Sequence, residues 1–92
     1  MLSYTFDASL LTIQESPNGD DIEFRIHVLG GDAVDRQVKA VQHDFEHNHV
    51  LTDVLFYAFK NHDYQFIVRK DFYDDFLLSL MKHQLLTSLA WT

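Results

Sequence analysis

The sequence predicts an α+β fold: a two-layer sandwich with two helices on one face of an antiparallel or mixed sheet. Three observations carry this. Stretches of period two, Ile22-Phe24-Ile26-Val28 against Glu23-Arg25-His27 foremost, stand beside two stretches of helical period. Turn signals at Asn18-Gly19 and Lys60-Asn61-His62-Asp63 separate strand from strand. The composition, 47% hydrophobic and 14% aromatic over 92 residues, supplies a rich core to a chain of a size that buries proportionately little surface. One domain over residues 1–92 is expected.

Tyr4 to Glu15 is rich in β-branched and aromatic residues and reads as a strand, irregular near Ala8-Ser9. Asn18-Gly19 predicts a tight type I′ hairpin turn, whose two central residues both take positive φ. Ile22 to Leu29 is the second strand, with its alternate residues Ile22, Phe24, Ile26 and Val28 buried. Gly30-Gly31 ends it, and Asp32 is placed to cap a helix that runs to about Asn48. Val34, Val38, Val41 and Phe45 form the buried stripe of that helix. Asp32–Arg36 and Asp35–Lys39 have the acid four residues before the base, the favourable order for surface ion pairs. Val50 to Phe59 and Tyr64 to Arg69 read as a second hairpin. Asp71 is placed to cap a second helix that turns Tyr73, Phe76, Leu77, Leu80 and Gln84 inward, with Phe72 and Met81 at the margins. A final short strand is expected over Ser88 to Trp91.

The resulting order is ββαββαβ. It has two parsings. One is a ferredoxin-like βαββαβ core with an extra N-terminal strand, in which the last strand flanks residues 22–29. The other is a pair of ββα units with the last strand appended, weakly supported by the recurrence of Asp32-x-x-Asp35 as Asp71-x-x-Asp74.

Composition removes several functions. With no cysteine there is no disulfide, zinc–thiolate site, iron–sulfur cluster or cysteine nucleophile, and a reducing cytoplasm is the expected compartment. The first residues lack the basic-then-apolar pattern of a signal peptide, and no apolar run approaches the ~20 residues a bilayer crossing needs. Fourteen acids against seven scattered bases give a net charge of −7, which speaks against nucleic acid and against an anionic membrane surface as partners. No glycine-rich dinucleotide loop, Walker loop or G-x-S-x-G elbow occurs, and no cofactor is implied.

Two short motifs invite chemistry. His43 to His47 spells H-x-x-E-H, and over these five residues it resembles the zinc motif of the inverted zinc peptidases. The phase of the helix argues otherwise, because His43 lies roughly 170° and His47 roughly 150° from the centre of the buried stripe. Only 45 residues follow His47, too few for the distant acidic ligand those enzymes use. A solvated helix end is the expectation, with a weak surface metal site of His43, His47 and His49 as the residue of the idea. Gly19-Asp20-Asp21 matches the paired aspartates of a polymerase palm, but it falls in a predicted hairpin loop.

The third strand is more informative. Val54, Phe56 and Ala58 alternate with Leu55, Tyr57 and Phe59, so both faces are apolar, whereas a strand with one solvated face should alternate to polar. Leu55, Tyr57, Phe59 and Ile67 are expected to form an apolar patch edged by Arg25, His27 and Arg69 on the sheet face away from the helices. The expected function is a non-catalytic interaction or regulatory module that forms a homodimer or binds a small protein partner through this face. The alternative is a small-molecule sensor or minor enzyme using Arg25, His27 and Arg69 as polar groups. RNA binding by the sheet aromatics is a third reading, opposed by the charge. A cover for the patch could come from either chain terminus, Trp91 included.

Overall fold

The structure, a computed structural model, describes residues 2–47 and 54–92. Among the described residues are six strands and two helices: β1 (Leu2–Thr5), β2 (Leu11–Asn18), β3 (Asp21–Val28), α1 (Asp32–Glu46), β4 (Val54–Ala58), β5 (Asp63–Arg69), α2 (Tyr73–Lys82) and β6 (Ser88–Trp91). The α+β class is as the sequence predicts, with the expected first strand divided in two. The expected beginning of the third strand at Val50 and the expected helix end at Asn48 fall outside the described residues.

The division has a local cause. Asp7 accepts hydrogen bonds at Oδ1 from the Ser9 backbone N–H (2.9 Å) and from the Ser9 hydroxyl (2.6 Å), while the Leu10 N–H donates to the Asp7 carbonyl (2.9 Å). Such side-chain turns compete with strand pairing. β2 continues into the main sheet, and β1 pairs antiparallel with β6, from Leu2 opposite Trp91 to Thr5 opposite Ser88.

The main sheet has the order β2-β3-β5-β4 with every pair antiparallel. This is the arrangement of two ββα units, joined where β3 meets β5. β2 occupies the place beside β3 that the ferredoxin-like parsing assigns to the last strand, and β6 lies in the separate two-stranded sheet. The first hairpin turn is also displaced by one residue. Asn18 pairs with Asp21, so Gly19 and Asp20 are the central residues, and of the two only Gly19 has positive φ, at 63°. Glycine first in a two-residue loop is the type II′ pattern, not the expected I′. Core alternation sets this register: Leu11 opposite Val28 and Ile13 opposite Ile26 bury all four side chains on one side.

Neither expected aspartate cap forms. Gly31, at φ 85°, is the residue before α1, and the 3-10 turn Lys70–Phe72 absorbs Asp71 ahead of α2. Val34, Val38, Val41 and Phe45 are buried as the stripe predicts, as are Tyr73, Phe76, Leu77 and Leu80. Gln84 is exposed instead of inward, because it lies beyond the helix at φ 64°. There the Leu85 N–H donates to the Leu80 carbonyl (2.9 Å) and the Gln84 N–H to the Met81 carbonyl (3.0 Å), the two bonds of a Schellman cap. Glycine is the natural residue at such a position, so Gln84→Gly is expected to raise stability by about 0.5–1 kcal/mol in urea unfolding.

The helices cover one face of the main sheet, where Phe24, Ile26, Tyr64, Phe66 and Val68 are buried. α1 and α2 are also joined at their C-terminal ends, where His83 Nε2 lies 2.6 Å from Asp44 Oδ2 and Lys82 Nζ lies 3.7 Å from the same oxygen. The His83 hydrogen bond is the main cause that holds the Asp44 carboxyl below its ordinary value, with help from the Lys82 charge. A depressed native pKa gives a stability contribution that is complete above about pH 4 and is lost as pH falls through the lowered native value. On acidification from about pH 5 to pH 2, the urea midpoint of His83→Gln is therefore expected to fall less than that of the unaltered chain.

Candidate interaction surface

Residues that alternate away from the helices build the open face. Strand register places Arg25 opposite Gln65, and Gln65 opposite Tyr57. The next row is Glu23, Ile67 and Leu55. Leu55, Tyr57 and Ile67 are therefore neighbours, and Phe59 joins them with the Arg25 guanidinium 4.8 Å from its ring centre, a cation–π contact. His27 faces Asp63, and its Nδ1 lies 2.7 Å from Asp63 Oδ1. The register thus places the four apolar residues together, with Arg25 and His27 toward one end of the face and Arg69 one row beyond Ile67 at the other.

Arg69 stands apart from the other two polar residues, not from the patch. It pairs with Asp21, four residues along β5 from Gln65, so its row is about 13 Å from that of Arg25 and about 20 Å from that of His27. One small ligand cannot meet Arg25, His27 and Arg69 through a single polar group. The polar group that does accompany His27 is Asp63, which only the β3–β5 register reveals.

The terminal sheet does not cover this face. Leu2 of β1 enters the helix-side core, Leu89 of β6 packs at its margin, and Trp91 is exposed. Leu55, Tyr57 and Phe59 keep 55%, 46% and 47% of their surface accessible. On the helix side, Val54 and Phe56 are only partly buried although Phe56 stacks on Tyr64 and meets Phe66 at a tilt, with ring centres 5.8 and 4.9 Å away.

The two edges of the main sheet differ in kind. β2 runs out to Gln14, Glu15, Ser16 and Pro17, exposed residues that include a charge and a residue with no backbone N–H to offer. Such features discourage pairing with another strand. β4 is Val-Leu-Phe-Tyr-Ala, with no charge, no proline and no bulge, and among the described residues its outer edge has no partner strand. Both of its faces are apolar, and both remain partly open.

Besides Asp63, three carboxylates with long-range partners escaped the sequence. Glu15 accepts hydrogen bonds from the Tyr4 and Tyr73 hydroxyls. Burial, and then the Glu15 carboxylate, raise both phenols above their ordinary value. Asp35 is buried and accepts from the Tyr64 hydroxyl at Oδ1 (2.7 Å), with His62 Nδ1 2.7 Å from Oδ2. Burial and then this bond push the Tyr64 phenol up to about 12. Asp44 is the third, described above. The helix-surface pair Asp35–Lys39 does not form, because the Asp35 side chain turns to the sheet instead, and among the described residues Asp32 and Arg36 form no ion pair either.

His43 and His47 are exposed on the last turn of α1 and just past it, their ring centres 4.1 Å apart. His49 lies outside the described residues. Among the described residues no group of three histidine or acidic side chains is placed to hold a metal ion. None of the described helices is long and apolar enough to cross a membrane. Comparison with known proteins adds no relative: no family model, no curated protein and no solved structure matches this chain.

Proposed function

We propose that this chain is a non-catalytic interaction module of a reducing compartment, and that it self-associates through β4. The observation that supports this reading most directly is an edge strand that is uncharged, apolar on both faces and partly open on both. A flat apolar edge is a template for another strand. A second copy suits it because antiparallel pairing centred on Phe56 is self-complementary. Leu55 of one copy then stands opposite Tyr57 of the other, and Val54 opposite Ala58. The pairing would continue the sheet across a two-fold axis and join the two patches of Leu55, Tyr57 and Phe59 into one.

Tyr57→Lys would place a charge at two symmetry-related positions in that junction. Each is expected to cost about 1.4 kcal/mol or more, so dimer affinity should fall at least about 100-fold. Light scattering coupled to size-exclusion chromatography reads this directly. A dimer mass for the unaltered chain and a monomer mass for a folded Tyr57→Lys support the reading. A monomer at the highest soluble concentration, unchanged by Tyr57→Lys, would sink it.

A further inference from the structure

On the opposite side of the sheet, the first turns of α1 and the β4–β5 turn flank an open, shallow cavity of about 370 Å³, lined by Asp32, Asp35, Arg36, Lys39, His62 and Tyr64. We propose that this cavity binds one small oxyanion group, a phosphate monoester or a carboxylate, between Arg36, Lys39 and His62.

The arrangement depends on Asp35. In the simplest helix its carboxylate would pair with Lys39, one turn on. Here both of its oxygens are engaged elsewhere, one by the Tyr64 hydroxyl and one by His62. Among the described residues, neither Arg36 nor Lys39 has an ion-pair partner. Two cations thus line a cavity without a carboxylate bound to either. Guanidinium and ammonium groups of this kind are the usual donors to phosphate and carboxylate oxygens.

His62 completes the set. A carboxylate oxygen can only accept, so the Nδ1 that meets Asp35 carries a proton, and Nε2 is the nitrogen left for a ligand, donating to an oxyanion in the imidazolium form of the ring. The ring is anchored at Nδ1, yet 53% of its side-chain surface is accessible. Its backbone sits at φ 63°, a conformation that glycine adopts without cost and histidine does not. The His62 carbonyl also accepts from the Val28 N–H (3.0 Å), which fixes the turn to β3. An imidazole is therefore held at the cavity from a position where glycine would be less strained.

Asp32 limits what can bind. Its carboxylate in the same lining keeps the cavity near neutral, which suits a single oxyanion group and opposes a polyanion such as nucleic acid.

The test is an NMR titration that follows the His62 ring carbon-bound protons, at constant ionic strength, with inorganic phosphate, acetate or chloride in separate series. Saturable shifts with phosphate, acetate or both are expected, and which of the two saturates identifies the oxyanion. Arg36→Ala combined with Lys39→Ala should weaken binding at least about tenfold, since two charge-assisted bonds are lost. Arg69→Ala, on the other face of the sheet, should leave it unchanged. Shifts that match those of chloride, that have not saturated by about 50 mM, or that persist in the doubly substituted chain would each overturn the proposal.

Discussion

Phe76→Ala is expected to cost about 3–5 kcal/mol of stability, the full range for truncating a buried phenylalanine. Phe76 has no accessible surface, and its ring centre lies 4.5 Å from that of Phe24, 5.0 Å from Phe66 and 5.8 Å from Phe45. Those three partners belong to β3, β5 and α1, so α2 delivers one ring to the junction of both ββα units. The aromatic pairs add to the simple loss of buried area. A chain of 92 residues has a total stability of about 5–14 kcal/mol, and this single change removes a large part of it. Phe76→Leu keeps most of the volume and should cost only about 1–1.5 kcal/mol. Urea unfolding at one fixed protein concentration measures both, the concentration being held because association would itself raise the midpoint. A cost below about 2 kcal/mol for Phe76→Ala would show that the core does not converge on this ring.

Much of this core was legible because its signals are periodic. Val34, Val38, Val41 and Phe45 recur at helical spacing, Phe24, Ile26 and Val28 at strand spacing, and each set is buried where the period places it. The apolar run Val54 to Ala58 likewise announced a strand apolar on both faces, and the structure leaves Leu55 and Tyr57 open. The misplaced features depend on competition between local and distant partners. The Asp7 turn falls at the irregularity expected near Ala8-Ser9, but the strand propensity of Tyr4 to Glu15 hid that it breaks the strand in two. The ferredoxin-like parsing placed the last strand beside β3, and nothing in Ser88 to Trp91 distinguishes that partner from β1. Asp35 is the sharpest case. Lys39 is its neighbour along the helix, whereas His62 and Tyr64 are 27 and 29 residues away, and only the packing of α1 on β5 decides between them. The open apolar face depended on alternation and was legible, while the cavity depends on that choice and was not.

Asp35→Ala is the second large effect, expected to lower stability by about 2–3 kcal/mol. The side chain is 8% exposed, and its removal strips the Tyr64 hydroxyl of its acceptor in a buried position. The cavity beside it can admit water to that hydroxyl, which keeps the cost from rising further. Tyr64→Phe removes the donor instead and leaves Asp35 with His62 as its partner, so about 1–2 kcal/mol is expected. The two changes share one hydrogen bond, and their costs should not add. In the double variant no phenol is left unpaired, and the total should fall short of the sum by about 1 kcal/mol or more. Additivity within about 0.5 kcal/mol would mean that the bond contributes nothing and that Asp35 is buried for another reason. The same cycle bears on the cavity. Asp35→Ala frees the His62 ring from its anchor without touching Arg36 or Lys39, so the cations alone can then be compared with the complete set of donors. An oxyanion held by all three groups should bind Asp35→Ala more weakly, although that variant has one negative charge fewer. A purely electrostatic attraction to the cavity would instead grow stronger, and the opposite signs of the two outcomes separate a shaped site from a diffuse field.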